Sequence, residues 1–297
     1  LYLRTDDGDL QKIDAPNSAN KNVSKENLLL ELREPWSIGG VDYQAGSLLV
    51  IKFDDFMAGG RSFEIAFEPT ENSSLASYTL TRKHLILNVL EDVKNRIYVM
   101  TSTDTGWQKR LLEGAPEIGT VGVRAVDADE SDAYWMTSSG YLTPTTLYYG
   151  EIGEKPEQLK QLTPLYQADG LKVNQHFATS KDGTQVPYFM VSKKDLVLDG
   201  DNPTLLYGYG GFEISLTPGY QASVGRAWTS QGGVYVVANI RGGGEYGPRW
   251  HQAALKQNRL KAYEDFAAVA EDLVKRKVTC KARLGIQGGS NGGLLVG

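Results

Sequence analysis

The apolar residues of this chain change rhythm near Leu171, and that change limits the possible folds more than any other feature of the sequence. Up to that point they come in short runs separated by turn residues, the pattern of strands rather than of amphipathic helices. The clearest hairpin pairs 84–90 with 96–100 through a turn at 92–95, and further strands are expected at 47–52, 63–68, 121–126, 133–137 and 146–149. No helical period intervenes. This favours a propeller or a sandwich over an α/β layer, although no WD or kelch signature marks a repeating unit. After residue 171 a hairpin, 176–180 with 186–191 around Asp182 and Gly183, leads into apolar strands at 204–207, 234–238 and 283–287. Between the last two strands, Phe266, Val269, Ala270, Leu273 and Val274 recur at helical spacing. Glu264 and Asp265 are expected in the first turn of this helix and Lys275 and Arg276 in the last, matching its dipole. Strand, helix and strand in that order predict a right-handed crossover and a mostly parallel sheet. A length of 297 residues fits two domains, 1–171 and 172–297.

The strand at 283–287 runs into Gly288-Gly289-Ser290-Asn291-Gly292-Gly293, followed by Leu294, Leu295 and Val296. This is GxSxG between a strand and a helix. The nucleophile of an α/β-hydrolase sits there on a turn so tight that flanking side chains would collide. Such a turn lifts the Ser290 hydroxyl out of the sheet, and the backbone N–H of Asn291 faces negative charge developing on a substrate. The plainer alternative is a flexible glycine loop, which composition alone would favour; the strand before and the apolar residues after oppose it. A second cluster, Tyr207-Gly208-Tyr209-Gly210-Gly211-Phe212, follows the strand at 204–207. It occupies the position from which this fold supplies its other oxyanion donor, and the Tyr209 hydroxyl suits that work. A tight turn with aromatic packing is the rival reading. A third cluster, Gly242-Gly243-Gly244-Glu245-Tyr246-Gly247, satisfies GxGxxG. A dinucleotide site would need a helix starting there and an acidic residue closing a second strand about 20 residues later; Glu264 and Asp265 fall at a helix start instead. A shaped loop braced by Arg241 and Glu245 is the better account.

Composition narrows the function classes. The net charge is −5 with both signs interspersed, so no basic patch exists to neutralise a phosphate backbone, and nucleic acid is excluded as a partner. Cys280 stands alone, which rules out an internal disulfide framework and marks a bystander thiol. No apolar run approaches the ~18 residues of a membrane span. No signal-peptide pattern is visible. A cytoplasmic location is expected, with the periplasm as the alternative because the chain opens on Leu1 without a methionine. Metal-ligand spacing is absent and a histidine-activated serine needs no cofactor, so none is expected.

Three segments together resemble the prolyl oligopeptidase family of serine peptidases: YGYGGF at 207–212, NIRGGGEYG at 239–247 and GGSNGGLLV at 288–296. Their order and spacing match that family, strongly after Lys172 and more loosely before it, where LEDVKN at 90–95 resembles a stretch of its propeller. The resemblance implies an α/β-hydrolase domain preceded by part of a seven-bladed β-propeller that restricts access to short peptides. It implies Ser290 as nucleophile, Tyr209 and Asn291 as oxyanion donors, and Phe212 as a wall of the pocket for a substrate's proline ring. Cleavage after proline is the expected specificity, with cleavage after basic or acylated residues, or a non-catalytic propeller interaction protein, as alternatives. The triad of this fold follows the chain order Ser, Asp or Glu, His. Only residues 291–297 follow Ser290, so the chain is expected to be an internal piece of a longer protein, inactive by itself. His84, His176 and His251 all precede the serine, and His251 lies nearest a glycine loop.

Overall fold

The computed structural model describes residues 2–104 and 106–297. After a small hairpin of Tyr2–Arg4 with Leu10–Lys12, three four-stranded antiparallel sheets follow one another along the chain. The first contains Asn20–Ser24, Asn27–Glu31, Leu48–Lys52 and Glu64–Phe67. The second contains Ser73–Leu80, His84–Glu91, Lys94–Thr103 and Gly106–Leu111, and the third Thr120–Ala125, Ala133–Ser139, Thr146–Glu151 and Glu157–Gln161. Because side chains alternate across a strand, His84–Glu91 serves two cores. Its Leu85, Leu87 and Val89 pack with Leu29, Leu48 and Val50 of the first sheet, while Ile86 packs with Val121, Tyr134 and Met136 of the third. The sheets therefore stack face to face in chain order. The described residues do not close a ring.

All the strands expected here are present, with ends shifted by a few residues. Those that periodicity missed are mainly edge strands such as Asn20–Ser24, Gly106–Leu111 and the fully exposed Glu157–Gln161. A solvent-facing edge strand needs no apolar run, because hydrogen bonds to its inner neighbour hold it in place. The 92–95 turn is also shorter than expected. Lys94 and Asn95 already pair with Glu91 and Leu90, leaving Asp92 and Val93 as the two turn residues. A short helix, Phe53–Met57, was not anticipated; it buries Phe56 against the first sheet.

The second region is a five-stranded sheet in the order Leu171–Thr179, Gln185–Lys193, Val234–Ala238, Thr204–Gly208 and Leu284–Gln287. It is mixed rather than mostly parallel. The 171–193 hairpin joins the same sheet, so two pairings are antiparallel and two parallel. Helix Leu260–Lys275 lays Ala262, Phe266, Val269 and Leu273 against Tyr188, Leu206 and Val236. It begins a turn earlier than its apolar pattern indicated. Glu264 and Asp265 thus lie beyond the first turn, which carries no acidic residue, and the expected match to the dipole holds only at the Lys275 end. Among the described residues no helix is long and apolar enough to cross a membrane.

The three parallel strands place their carboxyl ends side by side, with Gly208 opposite Ala238 and Tyr207 opposite Gln287. The three glycine clusters follow these ends directly, so strand pairing alone brings them together at one margin of the sheet. That margin is where open α/β sheets bind ligands.

Candidate active site

Ser290 joins strand Leu284–Gln287 to helix Asn291–Val296 with φ of 52° and ψ of −117°, a conformation that typically costs a non-glycine residue about 1–3 kcal/mol. The surrounding glycines explain how it is enforced. A Cβ on Gly288 would overlap the backbone of Gly292, one on Gly292 would lie 2.5 Å from the Gly208 carbonyl oxygen, and one on Gly208 would lie 2.6 Å from the Phe266 ring. Strand, turn and helix are in backbone contact, which only glycine permits. The loop is thus clamped rather than flexible. Within it Gly292 N–H donates to Gly289 O at 2.8 Å and Gly293 N–H to Ser290 O at 2.8 Å. Ser290 is left exposed. The Asn291 N–H opens the helix, where a backbone donor has no intrahelical acceptor.

The Asn291 side chain links the first glycine cluster to this turn. Its Nδ2 donates to Tyr209 O at 2.7 Å, and a Cβ on Gly211 would fall 2.7 Å from its Cγ. Arg259 donates to the neighbouring Gly210 O. Gly210, at φ of 59°, backs onto Ile240. Ser290, Asn291 and the half-buried Tyr209 are therefore brought together. Phe212 stands apart at the apex of the loop, 74% exposed. It and Glu213 are consecutive left-handed residues, with φ of 52° and 56°, an arrangement that bulky side chains rarely adopt.

The Gly242–Gly244 run has a different use from phosphate binding. A Cβ on Gly243 would lie 2.9 Å from Ile214 O, one on Gly244 would meet Glu213 O, and one on Gly242 would meet Gly210 O. The space a dinucleotide would need is filled by the chain's own 210–215 segment. Arg241 braces this loop from the buried side through Nε to Asp265 Oδ2 at 2.9 Å, Nη2 to Asp265 Oδ1 at 2.6 Å and Nη1 to Asp182 Oδ2 at 2.6 Å. The Arg241 guanidinium holds the Asp182 carboxyl well below the usual carboxylate range. Glu245 is fully buried, and burial pushes its carboxyl up to about 7 against the opposing pull of the Leu216 N–H and the Asn239 amide.

The histidines are engaged elsewhere. Nδ1 of His251 lies 2.7 Å from Gly242 O and 3.1 Å from Glu213 N, bracing the loop, while His84 meets Thr101 and His176 lies against Tyr188. Beside Phe212 and Glu213 opens a cavity of about 730 Å³, bordered by Leu75, Asn88, Val121 and Arg33 from the N-terminal sheets. Phe212 borders this space whereas Ser290 does not.

Several braces escaped sequence reasoning. Asp265 falls in phase with Ala262, Phe266 and Val269, and an acidic residue in an apolar stripe signals a buried charge needing a partner. Arg33, which pairs with Glu213 across 180 residues of chain, carried no local signal at all.

Residues 220–297 match a family model described as the prolyl oligopeptidase family. An uncharacterized peptidase of Sinorhizobium fredii is 43% identical over 270 residues, covering 90% of this chain and 37% of that protein. A prolyl endopeptidase of Elizabethkingia miricola is 41% identical over 183 residues, 61% of this chain and 26% of its own. Among solved structures, a post-proline cleaving enzyme from Rickettsia typhi superposes with a TM-score of 0.87 at 34% identity, covering 97% of this chain and 42% of that one. The chain thus spans less than half the length of these relatives.

Proposed function

We propose, from the premise that this chain belongs to the prolyl oligopeptidase family, that the full-length protein is a serine peptidase that hydrolyses short peptides after proline through an acyl-enzyme at Ser290. The observation that carries this reading is the clamped turn at Ser290, held in contact with the Tyr209 loop by Asn291 and three glycines. In this account a histidine takes the Ser290 hydroxyl proton as the oxygen attacks the scissile carbonyl. The Asn291 N–H and the Tyr209 hydroxyl stabilise the resulting oxyanion, and Phe212 forms one apolar wall for the proline ring. Collapse of the tetrahedral intermediate breaks the C–N bond, the amine leaving with that proton. Hydrolysis of the acyl-enzyme by water then releases the acid and restores the serine.

The division into two domains is read at 171/172, one residue into the first strand of the mixed sheet, Leu171–Thr179; the change of architecture between Gln161 and Leu171 supports it. The three four-stranded sheets are taken as consecutive blades of a seven-bladed propeller completed elsewhere in the full-length protein. Their stacking in chain order supports this.

The test is a comparison of blocked Gly-Pro, Gly-Ala and Gly-Arg fluorogenic amides on the full-length protein. The largest kcat/KM is expected for the proline substrate, with all turnover lost in Ser290→Ala. Preference for arginine would replace the post-proline reading with one for basic residues.

A further inference from the structure

The left-handed backbone at Phe212 and Glu213 forms a turn closed by Ile214 N–H donating to Gly211 O at 3.1 Å and backed by Gly244, where a Cβ would meet Glu213 O. The Glu213 side chain, in contrast, is held from outside the loop. Glu213 N–H reaches Gly242 O at 3.2 Å. The Glu213 carboxylate is gripped by Arg33, which projects from just beyond the Asn27–Glu31 strand of the first sheet and also lies 3.5 Å from Glu31. The two side chains are only 30% and 20% exposed. Downstream, the same segment is tied to the third sheet. Thr120 N–H donates to Pro218 O at 3.0 Å, Thr120 Oγ1 bonds Thr217 Oγ1 at 2.6 Å, and Tyr220 N–H donates to Ser139 Oγ at 3.1 Å. The segment that begins at Phe212 is thus stretched between two sheets that belong to the other half of the molecule.

We propose that Arg33 is a positioning residue for the substrate pocket: its ion pair with Glu213 holds the left-handed Phe212–Glu213 backbone, and with it the Phe212 wall, in place. This rests on the reading of Phe212 as a pocket wall. Without the guanidinium the Glu213 side chain loses its anchor to the first sheet, the two strained residues are held by backbone contacts and His251 alone, and the exposed Phe212 ring loses part of its fixed orientation at the edge of the cavity. The Ser290 turn keeps its own glycine clamp. Loss of Arg33 therefore separates two properties, weakening recognition of the substrate ring while leaving the nucleophile in place.

A mutant cycle on the full-length protein tests this, using Arg33→Met, Glu213→Gln, their double variant and the charge swap Arg33→Glu/Glu213→Arg. Each single variant is expected to lose roughly tenfold in kcat/KM on a blocked Gly-Pro amide, an ordinary size for coupled contacts, and to lose it mainly through KM. The double variant should fall no further, and the charge swap should recover part of the loss. The rate at which a small fluorophosphonate labels Ser290 should stay within about twofold of the parent, since that reagent does not use the proline pocket. Multiplying losses in the double variant, an unchanged KM in both singles, or labelling that falls by the same factor as cleavage would each overturn the proposal. If a variant fails to fold, Arg33→Lys, which keeps the charge without the planar fork, should show a smaller KM loss in the same direction, and no loss would count against it. A parent protein that labels at Ser290 but cleaves none of the proline substrate would instead refute the pocket reading, and this inference with it.

Discussion

The stacked sheets and the mixed sheet use strained backbone differently. In the first region the left-handed non-glycine residues, Lys25, Asp92 and Val93, sit at tight hairpin turns, where the twist of the flanking strands favours that conformation. In the second region Lys256 takes it at a short helical turn and Lys277 just past the Leu260–Lys275 helix, an ordinary place for a left-handed residue, whereas Phe212, Glu213 and Ser290 take it on loops beyond the carboxyl ends of parallel strands, where strand pairing does not require it. Local strain thus follows turns in one half, while in the other it lies at helix ends and, at Phe212, Glu213 and Ser290, on the loops of the candidate site. Val93 also serves the second region through its side chain. The turn it forms in the second sheet is also a plug, wholly buried among Tyr141, Phe189, Val191, Tyr235 and Val237, while Asp92 accepts from Tyr246 Oη at 3.0 Å.

The contrast breaks most visibly at Tyr209 if the loop is only a packed turn. Tyr209→Phe should lower turnover of the full-length protein by ~100- to 1000-fold, equivalent to ~2.7–4 kcal/mol, for loss of one oxyanion donor, with little change in KM. A near-normal rate would assign the tyrosine to packing. Glu245 gives the next largest effect. Its folded carboxyl holds a proton up to about pH 7, whereas an unfolded one releases it near 4.5. The resulting penalty is absent below about pH 4.5, grows as pH rises through that interval, and is complete above about 7. Glu245→Gln should therefore stabilise the protein by roughly 3 kcal/mol at pH 8 and by almost nothing at pH 4, which denaturant unfolding at the two pH values will read. An equal effect at both would show that the carboxyl is not held neutral.

Val93→Ala sharpens the comparison within the first region. Loss of two fully buried methyl groups from the plug should cost roughly 2 kcal/mol. Val23→Ala, on an edge strand where the side chain is 41% exposed, should cost less than about 0.5 kcal/mol. Similar losses at both sites would mean that the turn does not anchor one region to the other.

What the sequence disclosed follows the same division. Periodicity located most of the inner strands, since His84–Glu91 is apolar on two faces and needs to be, but it passed over the inner Asn27–Glu31 and the edge strand Glu157–Gln161, which owes its form to its neighbour. The elbow was legible because its glycines, its serine and its flanking strand are contiguous. The mixed character of the sheet was not, because nothing in the 171–193 hairpin itself states which sheet it will join. Arg241 was rightly read as a brace, but its partners Asp182 and Asp265 lie on separate elements, and the earlier start of the Leu260–Lys275 helix hid the role of Asp265. Arg33 and Glu213 meet only through the tertiary fold, so neither residue carries the other's signature.

The account stands on Ser290 being a nucleophile held ready by its turn. The most direct measurement is to treat the full-length protein with a fluorophosphonate probe and map the adduct by peptide mass spectrometry, beside a Ser290→Ala variant whose fold is checked by circular dichroism. A single adduct on Ser290, absent from the folded alanine variant, is the predicted result. Undiminished labelling of the variant, or an adduct on another serine, would contradict the account.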